Sequence, residues 1–559
     1  MQMFDWANPY PTIRSPLFAR NVVATSHPLA AQAGLSMLAR GGNAVDAAVA
    51  TAAAMTIVEP ISNGLGSDLF ALVWDPKASD GRNLHGLNAS GVAPAAWNVD
   101  YFAKKYAGVF PLRGWDTVTV PGAVAGWAAL SERFGSLPFA DLLAPAIDLA
   151  ARGYGVSTIV AYKWAMQVPG LQDQPGFAET FAPNGRAPLP GERFVFEAAA
   201  RTLTAIAESG GASFYRGAIA ERMAAHASEC GGVMTERDLA DYRVDWVAPI
   251  EKGYADRDGV EHSLHQIPPN GQGIAALMAL GIVGELGISR YPVDSIEAHH
   301  LMIEAMKLAF ADVYRYVADA RHMTDVTVAH LLDDGYLAER ARSIDLARAS
   351  DFTHGVPGKF IRPGGTIYLT TADASGMMVS LIQSNYMGFG SGVVVPGTGV
   401  SLQNRGHGFS LDASHPNVVA GGKRPFHTII PGFLTRSVMA ADGTRTQVPQ
   451  MGFGVMGGNM QPQGHLQTLV RMLTYGQQPQ AACDAPRWKV GTGLSVDCEK
   501  TMAPDLRAAL SARGHRIESI PDPYMDFGSG QFIWKLSDDA EDGYVAASDS
   551  RRDGQAVGF

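Results

Sequence analysis

Residues 366–384 have the sequence TIYLTTADASGMMVSLIQS, which carries the pattern of a β-hairpin. Two apolar-rich arms, 366–373 and 377–384, flank a loop of three residues at 374–376. Glycine ends this loop, at the position of such hairpins that favours a positive φ. The stretch therefore predicts two antiparallel strands joined by a tight turn, and this hairpin is the centre of the predicted fold.

The register of the hairpin brings particular side chains together. If Asp373 pairs with Met377, Thr366 lies opposite Ser384. Directly opposed residues have Cβ atoms roughly 4.5–5.5 Å apart, so the two hydroxyl groups are expected to hydrogen-bond. Tyr386 points to the same face if the second strand continues. We expect a threonine, a hydroxyl partner and an aromatic ring to share one site.

The segment before the hairpin is irregular. Residues 351–365 contain several glycines and prolines, ending in Gly364 and Gly365, and predict an exposed loop. Cleavage of the Gly365–Thr366 bond would give segments of 365 and 194 residues (559 − 365). This is the place where a cut would disturb the core least.

Such a cut would change the chemistry of Thr366. A threonine hydroxyl inside a chain has no group on its own residue that takes its proton. After cleavage the residue carries an α-amine with a pKa of roughly 7.7–8, which can act as the base for the hydroxyl. The alternative interpretation is that Thr366 only begins a β-strand, as threonine often does.

A second glycine-rich element follows at residues 451–459, MGFGVMGGN. Its glycine spacing matches a dinucleotide-binding fingerprint, but the acidic residue expected about 20 positions later is missing. A strand that turns at Gly457 and Gly458 explains the pattern better. Backbone N–H groups of such a turn can bind an oxyanion, each stabilising the transition state by roughly 2.7–4 kcal/mol. The alternative is a turn without a ligand.

Helical and strand patterns alternate along the rest of the chain, without an obvious linker or repeat. The predicted elements are strands at 21–25 and 70–74, a helix from His27 to residue 40 capped by Ser26, a helix at 43–55, and mainly helical stretches at 131–242 and 296–348.

Composition restricts the function. The chain of 559 residues has a net charge of −10 and 47% apolar residues, so it is expected to bind neither nucleic acid nor membranes. Its three cysteines, Cys230, Cys483 and Cys498, predict a reducing compartment without a disulfide framework. The first residues lack a signal-peptide pattern, so we expect a cytoplasmic protein that acts on small molecules.

Histidines at 299 and 300, with Glu304, are the one pattern that could indicate a metal. On a helix only His300 and Glu304 share a face, which favours an ordinary surface or core pair. The sequence therefore predicts no metal site and no cofactor.

The hairpin and the glycine turn, together with other stretches in the same order, resemble the γ-glutamyltransferase family of N-terminal nucleophile hydrolases. These other stretches are residues 24–30, 41–48, 118–127, 389–392, 396–399, 422–425 and 547–549. The resemblance covers nearly the whole chain. It implies an α+β fold, specifically a four-layer αββα sandwich, in which a large chain, 1–365, and a small catalytic chain, 366–559, remain one unit after autocleavage.

The resemblance also implies roles for individual residues. The nucleophile falls on Thr366, and Ser384 takes the position of a second threonine that hydrogen-bonds the nucleophile. The oxyanion-binding glycine pair falls on Gly457 and Gly458. The implied partners are the protein's own cleaved chain, as a heterodimer, and a small amide substrate; a dimer of heterodimers is left open.

The residues that grip the γ-glutamyl group in the family are replaced here. Residues 88–94 lack the arginine that binds the α-carboxylate. The asparagine and aspartate that hold the α-amino group fall on Tyr386 and Gly408, and the paired serines fall on His427 and Thr428. Loss of these charge-assisted hydrogen bonds argues against efficient cleavage of glutathione.

Four stretches resemble instead the branch of the family that contains oxamate amidohydrolase and cephalosporin-acylase-like proteins. They are residues 380–384, 403–406, 409–412 and 425–428. In that branch Arg405, Arg424 and His427, with Tyr386 and Thr428 beside them, are candidates to receive a substrate carboxylate. The alternative is a structural ion pair for each arginine and a core position for the histidine.

The leading hypothesis is therefore hydrolysis of a small carboxylate-bearing amide through an acyl-Thr366 intermediate, by an autocatalytically cleaved zymogen. One alternative keeps this chemistry but transfers γ-glutamyl groups from glutathione, which would place the protein in glutathione metabolism. An alternative of another class is an unprocessed pseudoenzyme that acts as a binding protein.

Overall fold

Two antiparallel sheets form the centre of the molecule. The structure is a computed structural model that describes residues 3–6, 14–79, 81–352, 366–439, 443–520 and 527–559. Its strands are β1 (Leu17–Ala19), β2 (Val22–Thr25), β3 (Asp68–Trp74), β4 (Leu84–Ala89), β5 (Tyr154–Gly155), β6 (Arg193–Phe194), β7 (Asp245–Val247), β8 (Ile250–Ala255), β9 (Glu261–Gln266), β10 (Ile367–Ala372), β11 (Met378–Ser384), β12 (Val394–Val395), β13 (Val400–Ser401), β14 (Gly432–Met439), β15 (Arg445–Met456), β16 (Trp488–Val490), β17 (Ser495–Glu499), β18 (Arg516–Ile520), β19 (Ser529–Lys535), β20 (Tyr544–Ser548) and β21 (Gln555–Gly558).

Helices cover the outer faces of these sheets. They are α1 (Pro28–Ala39), α2 (Ala44–Val58), α3 (Val99–Tyr106), α4 (Ala123–Phe134), α5 (Phe139–Arg152), α6 (Thr158–Leu171), α7 (Phe177–Phe181), α8 (Glu197–Glu208), α9 (Ala212–Tyr215), α10 (Ala218–Glu229), α11 (Glu236–Ala240), α12 (Gly273–Glu285), α13 (Ile296–Tyr316), α14 (Val328–Leu331), α15 (Asp334–Arg342), α16 (Met460–Leu469), α17 (Pro479–Asp484) and α18 (Pro504–Ala512). Within the described residues, no helix is both long enough and apolar enough to cross a lipid bilayer.

The large sheets pack face to face. One has the strand order β1-β20-β19-β15-β14-β9-β8, and the other β21-β2-β10-β11-β3-β4-β7. Buried side chains from both sheets meet between them, including Phe70, Ile382, Phe433 and Ile533. Strand residues alternate between the two faces of a sheet, so each sheet also presents a second face, and helices pack on it. The alanine-rich α2 packs on the second sheet and α12 on the first. The predicted four-layer αββα sandwich is confirmed.

Both sheets contain strands from either side of residue 365. In the second sheet β2, β3, β4 and β7 precede this position, whereas β10, β11 and β21 follow it. The two central strands, β10 and β11, lie between β2 and β3. The segments 1–365 and 366–559 therefore share both hydrogen-bonded sheets, and each of the three largest hydrophobic clusters contains side chains from both segments.

The hairpin has the predicted register. Ile367 pairs with Gln383 and Ala372 with Met378, which is the register expected from pairing Asp373 with Met377. The predicted helical stretches and the strand before the glycine turn are also present. The predicted loop at 351–365 lies, from residue 353 onward, outside the described residues.

Two local expectations are wrong. The N-cap of α1 is His27, whose Nδ1 accepts the Leu29 N–H at 3.2 Å; Ser26 instead donates its hydroxyl to the buried Glu59. The second hairpin strand ends at Ser384, and Tyr386 has a φ of +78°, a left-handed conformation that no strand contains. The aromatic ring is therefore placed by a turn.

Candidate active site

Thr366 lies immediately before β10 and is only 2% exposed. Its Oγ1 atom is 3.0 Å from the Oγ atom of Ser384 on the adjacent strand β11. The Ser384 hydroxyl oxygen also accepts hydrogen bonds from the backbone N–H of Tyr386 and from a guanidinium nitrogen of Arg405, both at 2.8 Å. Thr366 therefore has a hydroxyl neighbour whose position is fixed by two further donors.

Strand β15 crosses directly over β10 from the opposite sheet. A Cβ atom on Gly454 would lie 2.6 Å from the ring of Tyr368, and one on Gly452 would lie 2.6 Å from Thr370 Oγ1. Gly454 thus faces Tyr368 and Gly452 faces Thr370, so the residue numbers rise along one strand as they fall along the other. Continuing this pattern places the end of β15, at Met456, beside the start of β10, where Thr366 lies. The glycines allow this close approach because they have no side chain.

The turn after β15 uses two glycines in left-handed conformations. Gly457 has a φ of +123° and Gly458 a φ of +60°. Their carbonyl groups accept hydrogen bonds from the N–H groups of Met460 and Gln461, at 3.0 and 3.2 Å, at the start of α16. In the described part of the chain, no protein group accepts a hydrogen bond from the N–H groups of residues 457–459. These free donors lie at the positive end of a helix, where an anion is stabilised.

Arg405 joins two of the predicted substrate-binding residues to Ser384. One of its terminal nitrogens donates to Ser384, and the other donates to the hydroxyl of Thr428 at 2.7 Å. The guanidinium carbon lies 4.5 Å from the centre of the Tyr386 ring, a cation–π contact. Arg405 is 1% exposed, and its Nε atom has no hydrogen-bond partner among the described residues. The Tyr386 hydroxyl likewise has none among them.

Asp68 is a buried carboxylate at this site that the sequence analysis missed. It begins β3 and pairs in register with Ser384 on β11, and the Ser384 hydroxyl in turn contacts that of Thr366, directly before β10. Its Oδ1 atom accepts the Gly91 N–H at 3.1 Å. Its Oδ2 atom lies 3.0 Å from Nε2 of His427. The only sequence signal was a polar residue at the start of an otherwise apolar strand.

His427 has a defined tautomer. Its Nδ1 accepts the Ile429 N–H at 3.3 Å, so the proton is on Nε2, which donates to Asp68. Burial, with Arg405 and Arg424 nearby, holds the pKa of His427 well below its ordinary value. The ring is therefore neutral, and both of its nitrogens are already engaged.

Burial also sets the charges around Asp68 and Arg405. It raises the pKa of Asp68 to about 7, although the positive charge of Arg405 opposes the shift. Burial lowers the pKa of Arg405 to about 10, opposed by the charge of Asp68. Arg405 is thus a cation at neutral pH, next to a carboxyl group that titrates near neutrality. We call Thr366, Ser384, Asp68, Arg405 and Tyr386 the strand-end cluster.

Arg424 is held elsewhere. Its Nη2 atom forms an ion pair with Asp245 at 2.8 Å and also donates to the carbonyl of Arg243 at 3.2 Å. A third contact, with the Ser90 hydroxyl, is 3.4 Å long. The structural ion pair that the sequence analysis weighed for this arginine is present.

The metal hypothesis concerned the helix α13. His299 faces Asp294, whereas His300 and Glu304 lie on one face together with His515, with ligand atoms within 4.8 Å of one another. Lys307 occupies this group: its ammonium donates to Glu304 at 2.8 Å and contacts His515 Nδ1 at 3.3 Å. We call His300, Glu304, Lys307 and His515 the helix-layer cluster. A lysine supplies the positive charge that a metal ion would bring.

Comparison with known proteins matches this geometry to one family. The family model described as gamma-glutamyltranspeptidase matches residues 30–559. A glutathione hydrolase-like YwrD proenzyme of Bacillus subtilis is 35% identical, over 98% of this chain and 100% of its own. An oxamate amidohydrolase proenzyme of Klebsiella pneumoniae is 36% identical, over 98% of this chain and 99% of its own.

Solved structures agree with the sequence comparison. The crystal structure of a cephalosporin acylase from Bacillus halodurans superposes with a TM-score of 0.89 at 47% identity, covering 99% of both chains. The match spans both sheets and both helical layers, and with them the hairpin that carries Thr366. The chain therefore belongs to the γ-glutamyltranspeptidase family, and it is an autoprocessing amide hydrolase or acyltransferase of the N-terminal nucleophile class.

Proposed function

We propose that the protein cleaves its own Gly365–Thr366 bond and then uses Thr366 to hydrolyse a small amide that carries a carboxylate. The observation that carries this proposal is the position of Thr366. It directly precedes the central strand β10, its hydroxyl is 3.0 Å from that of Ser384, and β15, the strand that leads into the glycine turn, packs on β10 from the facing sheet.

In the maturation step, Thr366 Oγ1 attacks the carbonyl carbon of Gly365. The peptide C–N bond breaks as the C–O bond forms, leaving an ester to the hydroxyl and a free α-amine. Water then hydrolyses the ester, which gives the carboxylate of Gly365 and the hydroxyl of Thr366. Gly365 lies outside the described residues, so the proposal rests on Thr366 and its neighbours.

The two products, 1–365 and 366–559, remain a heterodimer in this proposal. Their strands alternate within both large sheets, and β10 and β11 lie between strands of the other segment. Separation would expose the sheet edges and the apolar core. A cut beside β10 therefore leaves the fold in place while it creates the catalytic amine.

In the amidase step, the α-amine of Thr366 takes the hydroxyl proton as Oγ1 attacks the substrate carbonyl carbon. The negative oxygen of the tetrahedral intermediate is bound by N–H groups of the turn at Gly457 and Gly458. The C–N bond then breaks, and the leaving amine receives the proton. Water attacks the acyl-Thr366 ester and releases the carboxylic acid.

Arg405 is the residue that we assign to the substrate carboxylate. It is a buried cation with an unpartnered Nε among the described residues, next to the unpartnered hydroxyl of Tyr386. An arginine fork binds carboxylates through two parallel hydrogen bonds. Arg424 and His427 fit this role less well because Asp245 and Asp68 already engage them. Thr428 supports Arg405.

Hydrolysis of γ-glutamyl compounds is the second candidate, because several relatives are glutathione hydrolase proenzymes. Gly408 lacks a side chain where the family resemblance requires an acid for the α-amino group, and residues 88–94 contain no arginine for the α-carboxylate. A small carboxylated amide such as oxamate fits better. Turnover of oxamate and of a γ-glutamyl anilide, measured on one preparation, distinguishes the two.

Amino-terminal sequencing of the purified protein tests the proposal directly. We expect two chains of about 365 and 194 residues, the second beginning at Thr366, and a single uncut chain for Thr366→Ala. A wild-type protein that stays one chain after long incubation would instead support the pseudoenzyme alternative. Equal processing in Thr366→Ala would exclude Thr366 as the nucleophile.

A further inference from the structure

A buried glutamine connects the segment 1–365 to the glycine turn. Gln272 is fully buried and forms the N-cap position of α12. Its Nε2 donates to the carbonyl oxygens of Thr428, at 2.6 Å, and of Gly458, at 3.0 Å. Its backbone N–H donates to the carbonyl of His427 at 2.8 Å. The side chain therefore bridges two backbone segments of the small chain.

The orientation of this amide follows from its partners. Both are carbonyl oxygens, which only accept hydrogen bonds, so the NH₂ end must face them and both of its hydrogens are used. The Oε1 atom has no partner among the described residues. Isosteric residues that lack the NH₂ group cannot make these two contacts.

The carbonyl of Gly458 controls the direction of the next N–H group. In a trans peptide the C=O of one residue and the N–H of the next point in opposite directions. A Gly458 carbonyl held by Gln272 and by the Gln461 N–H therefore aims the Asn459 N–H away from them. The Met460 N–H, by holding the Gly457 carbonyl, fixes the Gly458 N–H in the same way. Gly458 needs this restraint because glycine has the freest backbone of all residues.

We propose that Gln272 is a positioning residue, supplied by the large chain, that holds the oxyanion-binding turn in register with the carboxylate-binding arginine. The inference rests on the proposed function of the turn and of Arg405. Its second acceptor, Thr428, is the residue whose hydroxyl accepts from Arg405. One side chain thereby sets the spacing between the oxyanion and the carboxylate of a bound substrate.

A graded series of substitutions tests this role. Gln272→Glu keeps the shape of the side chain and, when protonated, retains one hydrogen-bond donor. Gln272→Met keeps about the same volume but has no donor. We expect kcat per processed molecule to fall about 100-fold in the methionine variant and less in the glutamate variant, because a displaced oxyanion donor costs on the order of 100-fold. KM should change less than threefold. An unchanged kcat in Gln272→Met, or losses confined to KM, would overturn the proposal.

Binding of an alkyl boronic acid gives a second measurement, since its tetrahedral adduct with Thr366 places an oxygen at the oxyanion position. Its inhibition constant should rise in Gln272→Met by about the same factor as kcat falls. Equal inhibition in wild type and Gln272→Met would overturn the proposal. A matched control is Gln266→Met, which removes a buried glutamine that bonds His465 at 3.1 Å and should leave both values within about twofold.

Failure of this inference and failure of the proposed function give different results. If wild-type protein has no chain beginning at Thr366, the function itself is excluded, and Gln272 has no turn to position for catalysis. If wild type is processed and active but Gln272→Met matches it, only the inference about Gln272 is excluded. Thermal unfolding of each variant separates loss of turnover from loss of folded protein.

Discussion

The molecule contains two buried polar clusters that differ in how completely their atoms are paired. In the helix-layer cluster each ring nitrogen and carboxylate oxygen has a partner. His300 Nε2 donates to the Asp345 carbonyl, its Nδ1 accepts from His515 Nε2, and Lys307 lies against His515 Nδ1. Glu304 accepts from Lys307 and from the Ser350 N–H. We call this cluster closed, because these atoms all have hydrogen-bond partners.

The strand-end cluster is buried to the same degree but is open. The Arg405 Nε and the Tyr386 hydroxyl have no partner among the described residues, and neither has the side-chain amide nitrogen of Asn385, which lies next to the cluster in the chain. Buried polar atoms that are left unpaired cost free energy, so a fold keeps them only where something else compensates. Between these two clusters, the unpaired donors lie beside Thr366, whereas the ring nitrogens and carboxylate oxygens of the helix-layer cluster are all paired.

The largest effect should come from removing the cation of the open cluster. Arg405→Met deletes the proposed partner of the substrate carboxylate and a donor to Ser384, so kcat/KM should fall about 1000-fold, in line with the 2–5 kcal/mol for truncating a buried charge pair. Steady-state kinetics on oxamate measures this. Arg405→Lys keeps the charge but lacks the planar guanidinium, so its kcat/KM should lie between those of Arg405→Met and wild type. Full activity in Arg405→Met would show that Arg405 is structural.

Breaking the closed cluster should affect stability instead of catalysis. Lys307→Met leaves the buried Glu304 without its cation, which should lower the unfolding free energy by about 3–5 kcal/mol. Turnover per processed molecule should stay within about twofold. Denaturant unfolding and kinetics on the same sample test both, and the double variant Lys307→Met with Glu304→Gln should recover part of the stability. A large loss of turnover in folded Lys307→Met would show that the helix-layer cluster also contributes to catalysis, contrary to the prediction.

Asp68 links stability to pH. Its pKa is raised from 3.8 to about 7 by burial, so the folded state favours the protonated acid. Its contribution to stability is complete below pH about 3.8 and is lost as pH rises through 7. In the uncut Thr366→Ala protein, Asp68→Asn should therefore reduce the loss of stability between pH 5 and 8 by about 2–3 kcal/mol. The same change in unfolding free energy between pH 5 and 8 for the two proteins would contradict this prediction.

The smallest change concerns the ring of Tyr386. Tyr386→Phe removes only the unpartnered hydroxyl and keeps the ring over Arg405. If the hydroxyl meets the substrate, KM should rise about 3- to 10-fold, equivalent to a hydrogen bond of about 0.5–1.5 kcal/mol, with stability unchanged or slightly increased. If KM for oxamate is unchanged, Tyr386 fills space and makes no hydrogen bond to the substrate.

Local patterns in the sequence determined the hairpin and the glycine turn, and the family resemblance implied the layer architecture. Strand periodicity and a three-residue loop suffice to pair Ile367 with Gln383, because hairpin pairing involves neighbours in the chain. The strand does not continue to Tyr386, because the end of a strand depends on contacts that are distant in the chain, here the hydrogen bond from the Asn385 N–H to the Ser62 carbonyl at 3.1 Å. The family itself was also recognisable, since its motifs are short and ordered along the chain.

The tertiary structure alone decided which polar residues share the site. Asp68 lies 316 positions from Ser384 in the chain (384 − 68), and Gln272 lies 186 from Gly458. No local periodicity reports such contacts, because they arise from the order of strands in the sheets and from the packing of one sheet on the other. The same packing engaged Arg424 with Asp245 and left Arg405 with an open donor, a difference that two arginines in a linear sequence do not reveal.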